Sequence, residues 1–244
     1  MVPLAKQWID DSGELRMTVA TEIANAPRRK VTLGPFDMTV DKRADGTMIA
    51  ASPLELGVYP AKTTERLEHW AKVAPDRIFL AQRDGMGPWR TITYAQALVS
   101  VRGIAAALLT RKLSAERPIL CLTGNDLGQA LLSLAAQYVG VPFAPVSPAY
   151  STVSQDFGKL KHIAKLLEPG LIYATTGAPL ARDIESVFPA DVELVVVARS
   201  DIDRPQTLLT DLIATAVTEA VDAANAKVGP DTIAKFLFTS GSTG

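Results

Sequence analysis

Six residues near the end of the chain, Thr239-Ser240-Gly241-Ser242-Thr243-Gly244, have the composition needed to hold a polyphosphate. Glycines let backbone N–H groups converge on one point and let an anion come close, and the hydroxyls of Thr239, Ser240, Ser242 and Thr243 add neutral donors. The apolar run Phe236-Leu237-Phe238 ahead of them reads as the end of a strand, Ile233 to Phe238, that opens into the loop. It is not a Walker A loop, G-x-x-x-x-G-K-S/T, because no Lys follows the glycines and Lys235 lies on the wrong side. Gly, Ser and Thr also make flexible tails, and by composition alone the two readings stand level.

Other chemistry-bearing residues read more plainly. Thr123-Gly124-Asn125, between a strand and a helix, could face a ligand at a strand carboxyl end, but a turn plus helix cap explains it equally well. His162 beside Lys161 and Lys165, and His69 off the apolar stripe of its helix, read as solvated residues. Asp183, Glu185 and Asp191 lack metal-ligand spacing, and two His with one Cys make no zinc constellation. No catalytic residue and no metal ligand is predicted within the chain. Cys121 lies among Ile119, Leu120 and Leu122 and reads as a small buried hydrophobe. A single cysteine forms no internal disulfide, which fits a reducing, cytoplasmic setting.

These residues need a frame, and the hydrophobic periodicity supplies one. Lys30 to Leu33 and Asp37 to Val40 are strand-like, and Asp45-Gly46 before Thr47-Met48-Ile49 is a hairpin signal. Thr63 or Thr64 caps a helix with Leu67, Trp70, Ala71 and Ala74 on one face, closed by Pro75. Thr93-x-x-Gln96 is a capping box opening a helix that carries Tyr94, Ala97, Leu98, Val101, Ala105, Leu108 and Leu109. From Pro118 onward, types alternate: strand Ile119 to Thr123, helix Asp126 to Tyr138, strand Val141 to Val146, helix Gln155 to Leu167. Strand Leu171 to Ala174, helix Leu180 to Phe188 and strand Leu194 to Ala198 follow. Arg199 to Pro205 reads as a polar connector and Leu208 to Ala226 as one or two helices.

Short apolar strands alternating with amphipathic helices predict an α/β fold, a doubly wound, mostly parallel sheet flanked by helices, with an N-terminal β-hairpin region. The division expected is a β-rich extension over 1–60, an α/β subdomain over 61–200, and a connector with helices and a strand leading into the loop over 201–244.

With 48% hydrophobic residues over 244 positions, the chain can bury a sizeable core. A formal charge of −1 gives no basic field for nucleic acid. The N-terminus shows no secretory signal, and the most apolar stretch, Leu127 to Val146, is broken by Gln129, Gln137, Pro142 and Pro145, so no membrane span is expected.

Phe238 through Gly244 resemble the phosphate-binding signature of the adenylate-forming enzymes, the superfamily of acyl-CoA synthetases, luciferases and peptide-synthetase adenylation domains. That signature reads Tyr/Phe-Thr-Ser-Gly-Ser/Thr-Thr-Gly-x-Pro-Lys. Thr91 to Leu98 is similar to the family's early L-T-Y-x-E-L segment, and Ala135 to Tyr150 to its G-x-x-x-x-P-x-x-P segment. Tyr59-Pro60 to Asp76-Arg77 and Pro145 to Leu171 look most like feruloyl-CoA synthetases and related aromatic acyl-CoA synthetases.

The resemblance implies an ATP-dependent acid–CoA ligase that activates a carboxylic acid, ferulate or a related aromatic acid, as acyl-AMP and passes it to coenzyme A. It implies that Thr239, Ser240, Gly241, Ser242, Thr243 and Gly244 hold the β- and γ-phosphates of ATP. The family's adenine, Mg²⁺, acyl and CoA contacts come later in such enzymes, so the stretch reads as an N-terminal portion that by itself is inactive and binds ATP weakly. Self-association through apolar surface left uncovered is expected with it. The alternative reading is a non-catalytic α/β module that binds a nucleotide or a partner and ends in a flexible tail.

Overall fold

Alternation of strand and helix from Pro118 onward becomes a parallel sheet sandwiched between two apolar layers. The computed structural model describes residues 7–9, 15–17, 37–152, 156–176 and 180–239. The strand expected at Lys30 to Leu33 lies outside the described residues. Residues 1–58 and 59–244 are two separate compact units.

The first unit holds two antiparallel pairs, β1 (Gln7–Ile9) with β2 (Leu15–Met17), and β3 (Thr39–Lys42) with β4 (Met48–Ala51). The Asp45-Gly46 signal makes the second hairpin. Gly46 takes φ +87°, a conformation that excludes most side chains, while the Asp45 carboxylate accepts from Thr47 N–H at 2.9 Å.

The second unit begins with α1 (Thr64–Val73), a hairpin of β5 (Ile78–Gln82) and β6 (Arg90–Thr93), and α2 (Tyr94–Leu109). The capping box forms as expected: Gln96 N–H donates to Thr93 Oγ1 at 3.3 Å and Thr93 N–H to Gln96 Oε1 at 2.9 Å. Then come β7 (Ile119–Cys121), α3 (Leu127–Tyr138), β8 (Phe143–Pro145), α4 (Ala149–Thr152), α5 (Gly158–Leu167), β9 (Leu171–Thr176), α6 (Ala181–Val187), β10 (Glu193–Ala198), β11 (Gln206–Leu208), α7 (Leu209–Ile213) and α8 (Glu219–Lys227). The sheet order is β11-β10-β9-β7-β8, and every pairing in it is parallel.

Strand side chains alternate between two cores, as a period of two requires. Ile119, Cys121, Leu171, Tyr173 and Val195 join Val101, Ile104 and Leu108 of α2 and Leu131, Leu132 and Ala135 of α3. Leu120, Leu122, Ile172, Ala174, Leu194 and Val196 join Leu160, Ile163 and Leu167 of α5 and Ile184 of α6 on the other face. Burial on both sides explains why these strands read as unbroken apolar runs.

Two elements were not foreseen. The β5–β6 hairpin went unpredicted although its connection holds Asp84-Gly85, a signal of the same kind as Asp45-Gly46, with Gly85 at φ +57°. Strand β11, Gln206–Leu208, falls between the connector expected over Arg199 to Pro205 and the helices expected from Leu208. The connector itself has a buried member. Arg204 sends its guanidinium to the carbonyls of Ile184 (3.4 Å), Phe188 (3.3 Å), Pro189 and Val192 (2.6 Å), tying down the turn that follows α6.

Candidate functional site

The segment leading to the hydroxyl-rich loop meets the sheet at the outer edge of β8. Lys235 bridges Phe143 in the parallel sense, with Phe143 N–H donating to the Ala234 carbonyl at 3.1 Å and Phe236 N–H to the Phe143 carbonyl at 3.2 Å. The strand expected from Ile233 to Phe238 is reduced to this one step. Its cause is visible on β8. Ile119 N–H donates to the Pro142 carbonyl and Val146 N–H to the Cys121 carbonyl, so residues 142, 144 and 146 face β7 and residues 143 and 145 face outward. The next outward donor would be residue 145, a proline without an N–H.

Beyond that step, Phe236 and Phe238 pack their rings against the Leu120–Ile172 core, while Leu237 is 73% exposed. The three line a cleft of about 640 Å³ with Ala115, Leu166 and Leu167. Thr239 is exposed. Ser240, Gly241, Ser242, Thr243 and Gly244 lie outside the described residues.

At the carboxyl ends of β7 and β9, Asp126 organises a polar cluster. It caps α3, Oδ1 accepting from Gln129 N–H at 2.7 Å, and the same oxygen accepts the Tyr173 hydroxyl at 2.9 Å. Oδ2 accepts the Thr175 hydroxyl at 2.6 Å, and Thr175 and Thr123 share a hydrogen bond of 2.5 Å. Burial, then the nearby Asp126 charge, push the Tyr173 phenol well above its ordinary range, so it stays a neutral donor. An added Cβ at Gly128 would collide with the Tyr173 hydroxyl, so glycine is what lets α3 lie this close to β9. For Thr123-Gly124-Asn125 the turn-and-cap reading is the one the hydrogen bonds describe. Gly124 and Asn125 remain exposed.

A cleft of about 350 Å³ runs from this cap to the loop-bearing segment, lined among others by Gln82, Asn125, Asp126, Gln129, Pro145 and Lys235. Gln82 fixes its wall by accepting from Leu127 N–H at 3.0 Å. Gln129 Oε1 is buried without a hydrogen-bond partner among the described residues. Sequence reasoning put a turn and cap at Thr123-Gly124-Asn125 and began the helix at Asp126, which is the cap itself, and it did not show the ties to Tyr173 and Thr175. Those partners are about 50 residues away, and no local pattern encodes them.

The remaining candidates do not gather. His69 and His162 are both exposed. Asp183 is buried, and burial raises its carboxyl above the ordinary range, whereas Glu185 and Asp191 are exposed. Among the described residues no three His, Cys, Asp or Glu side chains come together to hold a metal. No described helix is long and apolar enough to cross a membrane.

Solved structures share this architecture. A fatty acyl-adenylate ligase from L. pneumophila, determined with acyl adenylate and pyrophosphate, superposes with a TM-score of 0.53 at 18% identity, over 75% of this chain and 29% of its own. A benzoate CoA ligase from Burkholderia xenovorans LB400 gives 0.53 at 23% identity, over 71% and 32%. VinN gives 0.53 at 20% identity, over 77% and 44%. At such identities the likeness establishes the fold, and this chain spans under half the length of each. No curated protein matches the sequence. The family model described as AMP-binding enzyme, however, matches residues 67–244. That match runs unbroken from α1 through the sheet to the hydroxyl-rich loop, and with it the chain belongs to the AMP-binding enzyme family.

Proposed function

We propose that this chain supplies the N-terminal part of an ATP-dependent acid–CoA ligase acting on an aromatic carboxylic acid, ferulate or a close relative. The observation that carries the reading is the family match extending through Gly244, so that it includes Phe238-Thr239-Ser240-Gly241-Ser242-Thr243-Gly244. The substrate class rests on the likeness of Tyr59 to Arg77 and Pro145 to Leu171 to aromatic acyl-CoA synthetases. A cytoplasmic setting fits the lone, buried Cys121.

In the first step a carboxylate oxygen attacks the α-phosphorus of ATP, and the bond from that phosphorus to the α–β bridging oxygen breaks, releasing pyrophosphate. In the second, the thiolate of coenzyme A attacks the acyl carbon and AMP leaves. Both partners of the first step are anions, so the barrier is largely one of charge and orientation. Backbone N–H groups of Gly241 and Gly244 and the hydroxyls of Thr239, Ser240, Ser242 and Thr243 would hold the β- and γ-phosphates as negative charge shifts onto the leaving group. Mg²⁺ enters as the counter-ion of substrate ATP. Contacts to adenine, acyl group and CoA are assigned to the part of the enzyme beyond these residues, and the 244-residue stretch by itself is expected to give no measurable Mg²⁺-dependent ATP affinity by titration calorimetry.

Pyrophosphate release by the protein expressed from its whole coding sequence tests this, with ferulate, coumarate, benzoate and medium-chain fatty acids as substrates. Ferulate or coumarate should be preferred, and Thr243→Ala should lower kcat/KM for ATP by roughly 10- to 100-fold. Preference for a fatty acid would overturn the aromatic assignment. Absence of acid-dependent pyrophosphate release with every acid would overturn the ligase reading.

A further inference from the structure

The outer edge of β8 contains a chemical gap. Phe143 uses both its N–H and its carbonyl on the incoming segment, toward Ala234 and Phe236. A parallel ladder would continue with residue 145 donating to the Phe236 carbonyl, then Phe238 N–H donating to the carbonyl of residue 145. Pro145 has no hydrogen to give, and the bridging ends at Lys235. On its other side the same strand is fully used, since Pro145 pairs Cys121 across the β7 ladder without needing a donor there.

We propose that Pro145 is a positioning residue that releases the chain from the sheet after Phe236, so that the backbone pairing of the segment leading toward Thr239 is confined to Phe143. The side chains agree with the release. Phe236 and Phe238 keep hold of the core by their rings, a contact that allows sliding, while Leu237 between them is solvent-exposed. A ladder through Phe238 would fix the backbone up to the residue before Thr239. Here, among the described residues, the last backbone hydrogen bond of the segment is the one from Phe236, three residues ahead of Thr239.

Amide hydrogen exchange of this chain decides the matter, and no phosphate ligand enters it, so its failure is separate from a failure of the pyrophosphate assay. In the unmodified chain the Phe236 amide should exchange at least tenfold more slowly than the Phe238 amide, the order of one backbone hydrogen bond. Equal rates would overturn the proposal without any variant. Pro145→Ala restores the donor and should slow Phe238 exchange about tenfold, with the Leu120 and Ile172 amides reporting that the sheet is intact. L-lactic acid at position 145 lacks both the ring and the N–H and should leave Phe238 as fast as with proline. No slowing with alanine, or equal slowing with lactic acid, would overturn the assignment to the missing donor.

Discussion

The carboxylate of Asp126 both caps α3 and accepts the hydroxyl of Tyr173 at 2.9 Å, so one side chain ends a helix and fastens it to a central strand. Asp126→Ala removes the cap, leaves the Tyr173 hydroxyl without its acceptor, and leaves Thr123 as the remaining partner of the Thr175 hydroxyl. We expect a loss of about 2–3 kcal/mol in urea unfolding. Asp126→Asn keeps the cap through its carbonyl and can turn its amide N–H toward the Thr175 oxygen, and should cost under about 1 kcal/mol.

Arg204 should matter far more than its place in a polar connector suggests. Arg204→Ala leaves the carbonyls of Ile184, Phe188, Pro189 and Val192 short of a buried donor, and about 3 kcal/mol of stability should go with it. Arg204→Lys should recover only part, because an ammonium lacks the planar fork that reaches acceptors on both sides. Thermal unfolding of the two variants checks the order.

Arg111 and Glu193 join the end of α2 to β10 through a two-pronged pair at 2.6 and 2.8 Å, and Thr207 of β11 donates to the same carboxylate at 2.8 Å. Burial works against the charged carboxylate, but the Arg111 and Thr207 hydrogen bonds outweigh it and hold the Glu193 carboxyl below its ordinary value of 4.5. A depressed acid stabilises the fold fully above its unfolded value and loses that contribution as pH falls through the folded one. Stability should therefore drop as pH falls below the ordinary carboxylate range, and Arg111→Met should flatten that part of the profile while lowering stability at neutral pH.

Burial pushes the Cys121 thiol up to about 12. Folded protein should resist iodoacetamide at about pH 8, and labelling followed by mass spectrometry should proceed only as fast as the chain opens. Rapid labelling under native conditions would contradict its place in the core.

Leu166 and Leu237 are 63% and 73% exposed beside the Phe236–Phe238 cleft. The chain should associate as its concentration rises, and Leu237→Asp should shift sedimentation toward monomer. Monomer at every concentration for the unaltered chain would remove this surface from consideration.

The alternation of strands and helices was legible because both faces of the sheet are covered, which leaves apolar runs bounded by Gly, Pro and caps. The capping box Thr93-x-x-Gln96 and the start of a helix at Asp126 were legible for the same local reason. What stayed hidden depends on distant partners. Gln206 to Leu208 has the composition of a connector and becomes a strand because Leu194 to Val196 offers a free edge. Arg204 reads as a surface charge until the carbonyls it gathers are in place. The strand toward Phe238 was overextended because apolar character says nothing about which N–H groups the neighbouring strand can offer. Of the loop itself, the residue types carried the reading, and the structure describes it only as far as Thr239.

The division of consecutive side chains between two cores sets a rule for how this chain can change in length. Adding or deleting one residue between Ile119 and Leu122 would turn the side chains beyond the change to the opposite face, setting residues of each core against the other layer. The turns tolerate such changes, as between Gln82 and Arg90, where the hairpin tip carries exposed Met86 and Trp89. Length variation among related chains should therefore collect in the turns and be absent from β7, β9 and β10.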